Sequence, residues 1–253
     1  MDPLQCAIET AKEAGALLEA HRAKPLEMRE KSGRGDLVTA ADGASEALIV
    51  ARLRAAFPKS AILGEEGGTR AGAGEARWLV DPLDGTTNYA HGYPLYCVSI
   101  AYEVRGEVLC GVVYAPRLGE LYAAERGGGA TCNGRPIAVS AVEQIAKSLV
   151  CTGFVPAKYE RNMRNFSRLS GRAQAVRRDG AAALDLAFVA CGRFEAFWEF
   201  DLAPWDVAAG ALIVREAGGR VSAIDGSDYR SDGASILASN ARVHPEMLDE
   251  LSD

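Results

Sequence analysis

Histidine is scarce in this chain, three among 253 residues, and His91 has no sequence-level metal partner. His91 therefore reads as structural rather than catalytic. The six cysteines, Cys6, Cys97, Cys110, Cys132, Cys151 and Cys191, are scattered and form no Cys-x-x-Cys pair. Zinc spacing is absent, and a chain of this size needs no disulfide framework. Reduced, mostly buried thiols are expected, as in cytosol. No apolar run approaches the length of a membrane span. The N-terminus lacks a basic stretch followed by an apolar one, so no signal peptide is expected, and a cytoplasmic location is. A basic excess is missing too: 28 Lys and Arg face 34 Asp and Glu, a formal net charge of −6. A general nucleic-acid binder carries a basic footprint, so that class loses weight. An acidic protein can still bind a phosphorylated ligand if metal ions reverse the local field.

What is present suits a globular protein, with 48% hydrophobic and 25% charged residues. No internal repeat, low-complexity tract or Pro-rich linker divides it. One unit over residues 1–253 is expected, with N-terminal helices and a largely antiparallel sheet over about 1–147 and an α/β part over about 148–253. Leu4, Ile8, Ala11 and Leu18 recur at helical spacing. Residues 24–38 are polar, hold Gly33 and Gly35, and read as a short hairpin and mobile loop. Thr39-Ala40-Ala41-Asp42 resembles a capping box ahead of a second helix that stops near Pro58. Strands are expected at 61–63, 77–80, 95–104, 107–115 and 121–124, with a loop over 69–76 and turns at Arg105-Gly106 and Asn133-Gly134. The second half alternates: strands at 148–152, 175–177, 194–200, 220–223 and 236–238, and helices at 157–170, 181–190, 205–217 and the C-terminus. Gly218-Gly219 is a helix stop.

The most informative stretch is Asp81-Pro82-Leu83-Asp84-Gly85-Thr86-Thr87-Asn88-Tyr89. It follows Trp78-Leu79-Val80, which reads as the end of a buried strand. Two acids at a strand end are costly to bury unless something positive sits between them. Pro82 suits the second position of a tight turn that would bring both carboxylates to one side. Gly85 lets the backbone approach a ligand closely. Thr86 adds a hydroxyl and, with Gly85, N–H groups that could face an anion if a helix starts here. Carboxylates for a hard cation beside donors for an anion point to a metal-dependent phosphate site. Turn and cap roles would explain one acid and the glycine, but not the whole run.

Other acids are weaker signals alone. Glu65 and Glu66 follow Ala61-Ile62-Leu63 and read as a solvated loop tip. Two acid-bearing strand ends a short loop apart can still converge, and Glu65, nearer its strand, is the better candidate, with Glu66 exposed. Asp206 opens an apolar helix and alone reads as a cap or first-turn acid. Glu199, within Phe197-Trp198-Glu199-Phe200, is expected on a solvated strand face.

Five ordered segments spread over nearly the whole chain resemble the inositol monophosphatase family of magnesium-dependent, lithium-sensitive phosphatases. They are Asp36-Leu37-Val38-Thr39-Ala40-Ala41-Asp42, Gly64-Glu65-Glu66, the run from Trp78 to Tyr89, Gly180-Ala181-Ala182-Ala183-Leu184-Asp185-Leu186, and Trp205-Asp206-Val207-Ala208-Ala209-Gly210. The resemblance implies an α+β fold, a layered αβαβα sandwich, usually as a homodimer. It implies that Glu65, Asp81 and the Leu83 carbonyl hold a first Mg²⁺, that Asp81, Asp84 and Asp206 hold a second, and that a weaker third sits near Glu65. Glu65, Thr86 and Asp42 would be catalytic, Thr86 hydrogen-bonding the attacking water with Asp42 behind it. The substrate-facing set would be Asp84, Gly85, Thr86, Gly180, Ala181, Ala182, Ala183, Glu199 and Asp206. Within it, the Gly85 and Thr86 N–H groups take phosphate oxygens.

The resemblance also narrows the substrate. Relatives acting on phosphoadenosine phosphate or histidinol phosphate usually have Lys after Gly-Thr, whereas Thr86 is followed by the inositol-type Thr87-Asn88-Tyr89. The implied reaction is hydrolysis of inositol 1-phosphate by in-line attack of a metal-activated water, without a phosphoenzyme. The same chemistry on fructose 1,6-bisphosphate, NADP or phosphoadenosine phosphate is the alternative, as is a non-catalytic interaction protein on this fold. Asp179, ahead of Gly180, occupies a neighbourhood that varies with substrate.

Overall fold

The computed structural model describes residues 1–22, 28–30, 37–154 and 159–252. Asp36 and most of the polar stretch around Gly33 and Gly35 lie outside the described residues. The chain begins with helix α1 (Pro3–Arg22), which buries Cys6, Ala7, Ala11, Ala14 and Leu18 along one stripe. Strands β1 (Met28–Glu30) and β2 (Leu37–Thr39) pair antiparallel, as the expected hairpin. Helix α2 (Ala40–Ala56) starts where the capping box places it. The Asp42 carboxylate accepts from the Thr39 N–H at 2.8 Å, and the Thr39 hydroxyl accepts from the Ala41 N–H at 3.2 Å. These bonds satisfy backbone donors that a helix start leaves unpaired.

Next come β3 (Ala61–Gly64), β4 (Gly68–Arg70), β5 (Ala76–Asp84), the one-turn helix α3 (Thr86–Ala90), β6 (Cys97–Val104), β7 (Glu107–Ala115), β8 (Glu120–Glu125), β9 (Gly129–Cys132) and β10 (Arg135–Pro136). They form a sheet in the order β10-β9-β8-β7-β6-β5-β3-β4, antiparallel except where β3 runs parallel to β5. Two expectations need correction. Part of the stretch read as a loop over 69–76 is the edge strand β4. The strand expected to end at Val80 continues to Asp84, because a bulge between Asp81 and Asp84 absorbs the sequence read as a turn.

The second half holds β11 (Leu149–Thr152), α4 (Glu160–Ser170), β12 (Ala175–Arg177), α5 (Ala182–Ala190), β13 (Ala196–Phe200), α6 (Pro204–Glu216), β14 (Arg220–Ser222), β15 (Ser235–Ser239) and α7 (His244–Leu251). Its sheet runs β12-β11-β13-β15-β14, with β11 parallel to both neighbours and the remaining pairs antiparallel.

Strand alternation builds the layers. In β5, Trp78 and Val80 join the core beneath α1 and α2, while Leu79 faces the opposite way into the core around α5 and α6. In β13, Phe197 enters that same middle core, and Ala196 and Trp198 face a third core with Leu169 of α4 and Met247 of α7. The result is helices, sheet, helices, sheet, helices: the expected layered αβαβα arrangement. Each layer exists because both sheets are apolar on both faces and must be covered twice. All six cysteines are free, as expected. Among the described residues no helix is long and apolar enough to cross a membrane.

Candidate active site

The parallel pairing of β3 with β5 sets Gly64 opposite Val80, and the Glu65 N–H donates to the Val80 carbonyl at 3.2 Å. Glu65 is thereby laid beside Asp81. On the other side of β5, Asp81 is in register with Ser99 of β6. The Ser99 hydroxyl donates to the Trp205 carbonyl at 3.1 Å, which brings the start of α6, and so Asp206, to the same place. The Asp206 carboxylate accepts from the Ala203 N–H at 2.8 Å, so Asp206 does act as a helix-start acid. It also stands within hydrogen-bonding reach of Asp81.

The bulge aims Asp84 at α5, where its carboxylate accepts the Ala183 N–H at 2.7 Å and contacts the Cys97 thiol at 3.6 Å. Asp81 accepts the Leu83 N–H at 3.0 Å across the bulge. Burial raises the carboxyls of Asp81 and Asp206 well above the ordinary range. Glu65, Asp84 and Asp206 add to this at Asp81, and Asp84 then Glu65 at Asp206. Burial also pushes Asp84 up to about 7, against the lowering effect of the Ala183 N–H. Among the described residues, no lysine or arginine forms an ion pair with Asp81, Asp84 or Asp206.

Gly85 adopts φ of 88° at the start of α3, and a Cβ there would come within 2.9 Å of the Leu95 carbonyl. Only glycine suits both demands. Thr86 follows, its Oγ1 at 3.0 Å from both Asp42 Oδ1 and the Leu83 carbonyl. Its single hydrogen serves one of them at a time. The other Asp42 oxygen takes both the N–H and hydroxyl of Thr39, so the capping box locks this acid toward Thr86.

Glu199 is not solvated. It lies on the Phe197 face of β13, toward the α5–α6 layer, and is 6% exposed. The alternation is as expected, but both faces are covered. Burial raises its carboxyl well above the usual range, with Asp206 and Asp84 adding to the effect and Arg178 opposing it. Gly153 makes room, since a Cβ there would lie 2.1 Å from a Glu199 oxygen. Glu66 is half-buried rather than exposed, and His91, its side chain exposed, closes α3 through its backbone N–H.

Several residues at the site escape a reading of the sequence. Glu46, one turn beyond Asp42 on α2, accepts from the Glu66 and Gly67 N–H groups at 2.8 and 3.1 Å and pairs with Arg70 at 2.9 Å. Ser45 donates to the Pro82 carbonyl at 2.9 Å. The stripe Asp42, Ser45, Glu46 thus braces two acid-bearing segments at once, the one after Gly64 and the run from Asp81 to Thr86. An acid on the apolar face of a helix was the available signal. Asn88 donates to the carbonyls of Leu95 and Asp179, both at 2.7 Å, and pins the Gly180 segment against α3. The Ala183 N–H is taken by Asp84, which ties the segment at the start of α5 to the acid cluster.

The model of the inositol monophosphatase family matches residues 2–253. The chain belongs to this family. An inositol-1-monophosphatase of Synechocystis is 44% identical, covering 98% of this chain and 88% of the relative. At the same 44% identity stands the Nus factor SuhB of Pseudomonas aeruginosa, covering 97% of this chain and 94% of its own. The solved inositol monophosphatase of Anabaena superposes with a TM-score of 0.88 at 43% identity, over 98% of this chain and 94% of that one. As a member of the inositol monophosphatase family, the chain has the layered α+β fold of a phosphatase class.

Proposed function

We propose that this protein is a magnesium-dependent phosphomonoesterase that hydrolyses inositol 1-phosphate to inositol and phosphate. The observation that carries this is the convergence of Asp81, Asp84 and Asp206 with Glu65, from β5, α6 and the end of β3, where Asp81 is buried and the neighbouring acids raise Asp81 and Asp206. Such a cluster calls for cations, and an all-oxygen donor set suits a hard one. Glu65, Asp81 and the Leu83 carbonyl would hold one ion, Asp81, Asp84 and Asp206 a second, with a weaker third near Glu65. Bound there, magnesium would offset the cluster and the phosphate and lower the pKa of a water.

The chain's own residues do the rest. With its hydroxyl proton directed to Asp42, Thr86 keeps a lone pair to accept from the attacking water and aim it. Thr39 keeps Asp42 in place for that task. The Gly85 and Thr86 N–H groups receive phosphate oxygens. Glu199, Asp206 and the segment Gly180, Ala181, Ala182 and Ala183 line the side where the polyol hydroxyls sit, with the Ala183 N–H held by Asp84. Catalysis is then positioning and charge neutralisation without a phosphoenzyme, and the water oxygen ends on phosphorus as the ester P–O bond breaks. Lithium inhibition, a homodimer and a cytoplasmic location belong to the same proposal and are supported by the family.

The relatives called Nus factors favour one second reading, a partner of other macromolecules on the same fold. Phosphate release from inositol 1-phosphate, fructose 1,6-bisphosphate, phosphoadenosine phosphate, NADP and histidinol phosphate separates the readings. The assay is run with Mg²⁺, with added Li⁺ and with chelator. Magnesium-dependent, lithium-inhibited release led by inositol 1-phosphate is expected. Release led by another ester would overturn the substrate. Release from none, with metal bound, would leave the interaction protein.

A further inference from the structure

The β6–β7 hairpin tip, α6 from Ala208 to Arg215 and residues 229–232 line an open cavity of about 260 Å³. Arg215 lies nine residues beyond Asp206 on α6, about 14 Å along its axis, which sets the cationic end of the cavity apart from the acidic cluster. Five guanidinium groups line the cavity: Arg77, Arg105, Arg126, Arg215 and Arg230. Glu103 and Asp232 in the lining, and Glu75 beside Arg105, oppose them, leaving a formal local charge of +2 in a chain whose net charge is −6.

Three of these cations are paired: Arg77 with Glu103, Arg105 with Glu75 and Arg230 with Asp232. Arg77 is fixed at 2.6 Å by Glu103, whose side chain is 3% exposed. Arg215 lies over the Tyr229 ring, 5.2 Å from its centroid, and Arg126 donates its Nε to the Val108 carbonyl at 3.2 Å. Neither Arg126 nor Arg215 has an ion-pair partner among the described residues. Two buried polar atoms of this wall, the Tyr229 hydroxyl and Glu103 Oε2, also lack a hydrogen-bond partner among the described residues. Buried polar atoms are seldom left so. Ala208, Ala211 and Leu212 supply an apolar floor.

We propose that this cavity is a second ligand site, for a small organic polyanion gripped by Arg126 and Arg215 with its body on the α6 floor. Planar guanidinium forks match phosphate and carboxylate heads. The cations come from separate segments around the rim, so a ligand with two or more anionic groups engages more of them than a single oxyanion can. A cavity of this size on an acidic protein suits a small molecule better than a nucleic acid, which needs a basic stripe.

The test is calorimetric titration of metal-free protein with inorganic pyrophosphate and, separately, with citrate. Saturable binding of at least one is expected, and the stronger arm identifies the head group as phosphate or carboxylate. Losing one charge-assisted contact in Arg126→Gln should weaken binding about tenfold, and Arg126→Gln with Arg215→Gln about a hundredfold. Asp84→Asn should leave binding unchanged. Arg126 is exposed, so its variant folds and keeps the test decisive. Saturable binding of neither probe, binding that survives the double variant, or binding abolished by Asp84→Asn would overturn the proposal.

Discussion

Lowering the pH from about 8 to about 6 should weaken Mg²⁺ binding to the acidic cluster at least tenfold. Asp84 has the clearest titration there, with burial pushing its carboxyl to about 7. A group with that pKa is about one-tenth protonated at pH 8 and about nine-tenths at pH 6. If the ion binds only the carboxylate, its apparent Kd rises by about the ratio of the deprotonated fractions, close to tenfold. Asp81 and Asp206 are raised as well, so they can only steepen the dependence. The linked stability has a definite sign. These folded-state carboxyls hold protons more tightly than unfolded ones, which titrate near 3.8. For Asp84 that contribution to stability is present below about 3.8 and lost as pH rises through about 7. Metal-free protein should lose stability from this cluster on going from pH 6 to pH 8, and added Mg²⁺ should raise Tm more at pH 8. Calorimetry in two buffers of different ionisation heat counts the released protons, about half a proton or more at pH 7. A Kd that is flat from pH 6 to pH 8, with no proton released, would refute the reasoning.

Three further outcomes are expected. Asp42→Asn should cut kcat at least tenfold with KM little changed, since it removes one of the two acceptors that serve Thr86 and Thr39; unchanged steady-state kinetics would remove Asp42 from the water-aiming pair. Gly153→Ala should lower stability by about 1–3 kcal/mol in urea titration, because the new Cβ would meet the Glu199 carboxylate at 2.1 Å; an unaltered midpoint would mean that Glu199 is free to move. His244 is buried between the hydroxyls of Ser222 and Ser239, and burial lowers it from 6.5 to about 4. The neutral ring must charge when the chain unfolds, so its contribution is intact above about 6.5 and lost as pH falls toward about 4, by up to about 3 kcal/mol. The stability difference between wild type and His244→Gln, followed by urea unfolding, should shrink across that window, and a constant difference would exclude the linkage.

Local chemistry was the legible part of this protein. The Thr39–Asp42 cap depends on bonds spanning three residues, so its sequence specified it, and with it the orientation of an acid at the site. The Gly85 turn and the start of α3 follow from a single residue whose backbone must take positive φ. Gly218, at φ of 87°, ends α6 for the same reason. Strand and helix order also followed from periodicity, since each element must present an apolar face or stripe. The bulge at Asp81 to Asp84 was read instead as a turn, because proline between two acids fits either. Only pairing with β6 selects the bulge.

By itself, then, the amino-acid order determined the elements, their caps and the presence of two acid-bearing strand ends. The tertiary structure decided which charges meet. Glu199 alternates to one face of β13 whatever the fold, but that face is dry only because α5 and α6 cover it. Glu46 acts on Glu66, twenty residues away in sequence, because α2 packs across β5. Asp206 joins Asp81 through the Ser99–Trp205 bond, over a separation of 106 residues. Burial and convergence are sums over distant segments, whereas caps and turns are settled between neighbours, and that difference in range divides what could be read from what had to be folded.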